Sequence, residues 1–71
     1  AAKHATEVVT RVLARLPERD RTLIVCFELE GLSAAEIQTI VGLSPNGVWV
    51  ALHRARKRFR TIFVDLYGRR E

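Results

Sequence analysis

An all-α fold is predicted for this chain of 71 residues by three features of its sequence. Apolar residues recur at helical spacing throughout, no valine-rich alternating segment interrupts them, and helix start and stop signals recur along the chain. A chain this short buries only about 60% of its unfolded surface, so one small core is expected, with the working surfaces outside it.

Val8, Val9, Val12 and Leu13 form one stripe of a first helix running roughly from Lys3 to Arg15. Leu16-Pro17 closes it, because a residue before proline disfavours the α region. Pro17 suits the first turn of a second helix, Glu18 and Asp20 favour its N-terminal dipole, and Gly31 is the expected left-handed stop after Glu30. Within it Cys26 lies in the apolar run from Leu23 to Phe27 and is expected in the core. Ser33 with Glu36 has the form of a capping box opening a third helix, in which Ile37, Ile40 and Val41 are expected to face inward.

Gly42 permits a sharp turn, and Ser44-Pro45 repeats the start signal, an N-cap followed by proline at the first helical position. The fourth helix is predicted to run to about Tyr67, with Gly68 as its stop. At about 100° per residue, Val48, Leu52, Ala55, Phe59, Ile62, Phe63 and Leu66 gather into a core stripe. Asn46, Val50, His53, Arg54, Lys57 and Thr61 fall on the opposite side, with Trp49 and Arg60 on one flank and Gly47 and Arg58 on the other. The short capped helix, glycine turn and second capped helix together have the form of a helix-turn-helix.

The net charge is +4. Residues 1–44 carry five basic and six acidic side chains, whereas residues 45–71 carry seven basic and two acidic ones. A basic C-terminal part beside a nearly neutral N-terminal part points to one face for phosphate and another for a different partner. Arg54, Arg56, Lys57, Arg58 and Arg60 place five cations in seven residues without an acid between them, and these repel one another unless a polyanion is near. The bland alternative is a solvated face.

In a helix-turn-helix the N-terminal turns of the second helix enter the major groove, which leaves Asn46, Gly47, Trp49, Val50, His53 and Arg54 able to touch base edges. Asn46 suits adenine, Arg54 guanine and His53 an acceptor, while Val50 offers only apolar contact to a thymine methyl. Trp49 either packs along the flank of the core, the favoured reading, or stands exposed as an anchor for a partner protein.

Other classes find little support. One cysteine allows no internal disulfide, and His4 and His53 are too distant in sequence to suggest a metal site. No activated nucleophile, paired carboxylates or glycine phosphate loop is visible, so neither an enzyme nor a cofactor is expected. No apolar run approaches the roughly 18 residues of a membrane span and no signal peptide is visible, so a soluble intracellular protein is expected.

The segments Leu16-Pro17-Glu18-Arg19-Asp20-Arg21, Glu30-Gly31-Leu32-Ser33-Ala34-Ala35-Glu36-Ile37, Gly42-Leu43-Ser44 and Leu52-His53-Arg54-Ala55-Arg56-Lys57-Arg58-Phe59-Arg60 together resemble region 4, the C-terminal promoter-binding domain of bacterial RNA polymerase sigma factors, especially the extracytoplasmic-function (ECF) group. The resemblance covers roughly residues 5–63. It implies a four-helix domain over residues 1–71, a portion of a longer cytoplasmic sigma factor, with no catalytic role. It further implies that the last helix binds promoter DNA near the −35 element, with Trp49, Val50, His53 and Arg54 in the base-reading stretch and Arg56, Lys57 and Arg60 in the phosphate-holding one. The earlier helices would form an apolar groove for the β-flap of the RNA polymerase core.

The chain departs from that pattern at Asn46-Gly47-Val48-Trp49-Val50-Ala51. Family members usually carry glycine, threonine, valine, a basic residue, serine and arginine there, so three polar or charged positions have become tryptophan, valine and alanine. Either the promoter is read partly through methyl groups, or the helix contacts protein instead, with Trp49 and Val50 binding an anti-sigma factor or another regulator. A free-standing helix-turn-helix regulator shares the general pattern but not the arginine-rich stretch after Leu52.

Overall fold

The computed structural model describes residues 2–68, and among them every regular element is helical. Helix α1 spans Ala2–Ala14, α2 Glu18–Ile24, α3 Ala34–Val41 and α4 Pro45–Phe63. Two π-helical turns, Val25–Leu29 and Val64–Gly68, extend α2 and α4. The second and fourth helices thus reach about as far as the sequence predicts, but each widens in its last turn, as the Glu30 amide donating to the Val25 carbonyl five residues back illustrates.

Helix α4 is the central element, packing chiefly against α2 and α3 and touching α1. Val48, Ala51, Leu52 and Ala55 are its buried contribution, and they meet Leu16, Leu23, Ile24, Cys26 and Ile37. Val12 anchors α1 from a fully buried position. The long α4 stripe overshoots this core: Phe59 and Ile62 are half-buried against it, whereas Phe63, expected inside, is 40% exposed and leans on Tyr67 with ring centroids 5.6 Å apart. Ile40, also expected to face inward, is 56% exposed. It borders a shallow dip beside Glu18, Arg19 and Thr22, where the polar side of α2 offers no apolar partner.

Two side chains of the Asp20-Arg21 pair hold the helices together. Asp20, the one buried charged residue in the described core, accepts a hydrogen bond from Arg58 Nη1 of α4 at 2.6 Å. Arg21 Nη1 reaches back to the carbonyl oxygens of Leu13 and Leu16 at 3.2 and 3.4 Å, satisfying acceptors left free where α1 ends.

Cys26 is buried as expected, and burial, helped by the negative charge of Glu30, raises its thiol above the usual 9.0. A raised folded-state value means the unfolded chain releases this proton first. The contribution of Cys26 to stability is therefore intact below pH 9.0 and is lost as pH rises beyond it. Alkylation by iodoacetamide at neutral pH is expected to be slow in the native protein and fast in denaturant, as peptide mass spectrometry would show.

Candidate nucleic-acid interface

The turn between α3 and α4 is built entirely from local chemistry. The Ser33 hydroxyl accepts from the Glu36 amide at 3.2 Å while the Glu36 carboxylate accepts from the Ser33 amide at 2.8 Å, forming the expected capping box. Gly42 ends α3 in the left-handed region at φ 75°, its amide donating to the Gln38 carbonyl. Ser44 then caps α4 by accepting from the Gly47 amide at 3.0 Å, with Pro45 in the first turn. That bond offsets part of the roughly 1 kcal/mol that glycine costs relative to alanine inside a helix.

Burying Val48, Leu52 and Ala55 fixes the roll of α4 and leaves Asn46, Val50, His53, Arg54 and Lys57 exposed on the opposite side. Trp49 stands on the flank, 48% exposed, its ring edge-on to Phe27 with centroids 5.4 Å apart and planes at 81°. The indole is thus half-buried on the flank, braced by the π turn that follows α2.

The five cations separate into two groups. Arg58 is bound to Asp20, and Arg56 is bound to Glu28 through both its Nε, at 2.6 Å, and its Nη2. The Arg56 guanidinium also lies 5.3 Å from the centre of the Phe27 ring. Among the described residues no ion pair engages Arg54, Lys57 or Arg60. Arg54 and Lys57 border one shallow depression with Arg58 and Thr61. The acids that relieve repulsion on α4 come from α2 and its extension, 38 and 28 residues away in the chain.

Sequence reasoning placed Arg56 with the phosphate-holding residues, but in this structure Glu28 occupies it. The pair is half-exposed and contributes only about 0–1 kcal/mol to stability. Glu28→Gln is accordingly expected to leave folding nearly unchanged while freeing Arg56. If Arg56 then reaches a phosphate, the slope of log affinity for duplex DNA against log salt steepens by about one, readable by fluorescence anisotropy.

On the other side of Arg56 lies an apolar groove of about 540 Å³ lined by Val9, Ile24, Leu29, Phe59 and Phe63, with Glu28, Arg56 and Arg60 at its rim. Leu29, 60% exposed, is its most accessible wall. Arg60 therefore stands between the groove and the outward face of α4. The groove draws on α4 as well as the earlier helices, which no single-helix periodicity reveals. No helix among the described residues is long and apolar enough to cross a membrane.

Comparison with known proteins adds a second line of observation. The family description "Sigma-70, region 4" matches residues 6–59. The ECF RNA polymerase sigma factor ShbA of Streptomyces griseus is 44% identical over 52 residues, 73% of this chain and 27% of that protein. The ECF RNA polymerase sigma factor SigF of Caulobacter vibrioides is 49% identical over 47 residues, 66% of this chain and 26% of that protein. The chain thus spans about a quarter of the length of these relatives. No solved structure matches it.

Proposed function

The chain belongs to the sigma-70 region 4 family, as an ECF-type domain, and we propose that its fourth helix recognises the promoter −35 element while its apolar groove docks on the β-flap of RNA polymerase. The observation that carries this reading is the outward face of α4. Arg54 and Lys57 are exposed there without ion-pair partners among the described residues, one and two turns beyond the base-facing positions Asn46, Trp49 and Val50. Guanidinium and ammonium groups so placed bind phosphate and release counterions, while the N-terminal turns enter the major groove.

In this reading Asn46, Val50, His53 and Arg54 meet base edges, and Lys57 and Arg60 meet backbone phosphates, joined by Arg56 when it leaves Glu28. Trp49 holds the flank. The groove of Val9, Ile24, Leu29, Phe59 and Phe63 supports the second partner, because it is apolar, open and separate from the cationic face. Its expected occupant is a short amphipathic segment of the polymerase flap. The domain acts by binding, with no catalytic step, in the bacterial cytoplasm.

Fluorescence anisotropy with duplex DNA tests the first half. Affinity is expected to fall with salt, and Arg54→Ala to weaken a preferred site more than random DNA, by about 1–3 kcal/mol. Equal weakening of both sequences would move Arg54 from base reading to phosphate contact, and salt-independent or absent binding would overturn the DNA reading. The competing interaction-module reading draws on the exposure of Trp49 and Val50. An anti-sigma factor that shifts Trp49 fluorescence where DNA does not would favour it.

A further inference from the structure

The outward face of α4 is not uniformly polar. Val50 is 44% exposed at its centre, and Trp49 is exposed to a similar degree beside it. Val50 follows Asn46 by one helical turn and precedes His53 and Arg54 by another, so polar side chains bracket it along the helix. Asn46 to Arg54 spans about 12 Å at 1.5 Å per residue, the length of three to four base steps at about 3.4 Å each.

An apolar contact at the centre of that span needs an apolar group on the ligand. In the major groove of DNA only thymine supplies one, its C5-methyl. Aliphatic surface left open between cations in water gains nothing, whereas against a methyl it is removed from solvent. The contact is also pre-formed, since Phe27 supports the neighbouring indole edge-on.

Resting on the DNA reading above, we infer that Val50, braced beside Trp49, is a specificity-determining residue that reads thymine C5-methyl groups at the centre of the recognised element. Asn46 and Arg54 read the base pairs on either side. The element is therefore centred on one or two thymines whose methyl groups, rather than their hydrogen-bonding edges, set the preference.

The test starts from a preferred duplex selected by this chain from a random library, with each thymine then replaced singly by deoxyuridine, which removes only the methyl. At the central positions affinity is expected to fall about fourfold per methyl, the equivalent of ~0.8 kcal/mol. In Val50→Ala, a surface change to a strong helix former whose folding circular dichroism would check, the same replacement is expected to change affinity less than about twofold. A preferred, salt-sensitive site that binds equally well with uracil would overturn methyl reading and leave the DNA reading standing. A fourfold loss that persists undiminished in Val50→Ala would remove Val50 from the role. Failure to enrich any sequence, with no salt-dependent binding, would overturn both.

Discussion

Leu52→Ala is expected to lower stability by roughly 3 kcal/mol, within the range for deleting a fully buried leucine side chain. Leu52 is 1% exposed and sits in α4 among the core residues of α2 and α3. A domain of this size has a total stability of roughly 4–10 kcal/mol, so a large share of it would go. The melting temperature read by circular dichroism should drop by roughly 12–24 °C. Ile40→Ala, at a position 56% exposed, should shift it far less. The contrast matters because burial of Leu52 is what turns Arg54 and Lys57 outward. A Leu52→Ala protein as stable as Ile40→Ala would mean that α4 is rolled differently and that its outward face has been misassigned.

The second large effect concerns binding. Replacing Arg54, Lys57 and Arg60 together by alanine is expected to reduce the slope of log affinity against log salt by about 2.7, one increment of ~0.9 for each lost phosphate contact. Affinity for any duplex should fall steeply at low salt, where counterion release contributes most. Since none of the three takes part in an ion pair among the described residues, folding should be nearly unaffected. Arg58→Ala offers the opposite pattern. It leaves the buried Asp20 carboxylate without its guanidinium, so it should cost stability, about 1–3 kcal/mol, with a smaller effect on the salt slope.

The difference between these two kinds of arginine was hidden in the sequence. Caps and turns were legible because their partners lie within a few residues: Ser33 with Glu36, Gly42 with Gln38, Ser44 with Gly47. The roll of α4 was legible too, because Val48, Leu52 and Ala55 recur with the helical period and are buried as expected. The run of cations was read as lacking acidic neighbours because Asp20 and Glu28 approach it only after α2 docks on α4. The Arg56 pair with Glu28 and its position over Phe27 likewise depend on tertiary packing. Ile40 and Phe63 illustrate a different limit. A helix can continue its apolar stripe past the point where neighbouring elements cover it, and periodicity alone does not say where that cover ends.

The groove beside Arg56 was anticipated only as a property implied by family resemblance, and its walls were not named. Val9, Ile24 and Leu29 come from α1, α2 and the π turn, and Phe59 and Phe63 complete it from α4. Glu28 and Arg56 lie at the junction between this groove and the cationic face, where Phe27 also supports Trp49. The two proposed partners therefore approach adjacent sides of one helix.

The most direct test of the central claim, that the outward side of α4 is the nucleic-acid surface, is backbone amide NMR of the labelled chain titrated with its preferred duplex. The expected result is that shifts concentrate at Asn46, Trp49, Val50, His53, Arg54 and Lys57, while Val9, Ile24 and Leu29 across the groove stay nearly still. Shifts confined to the groove, or no shifts at all, would contradict it.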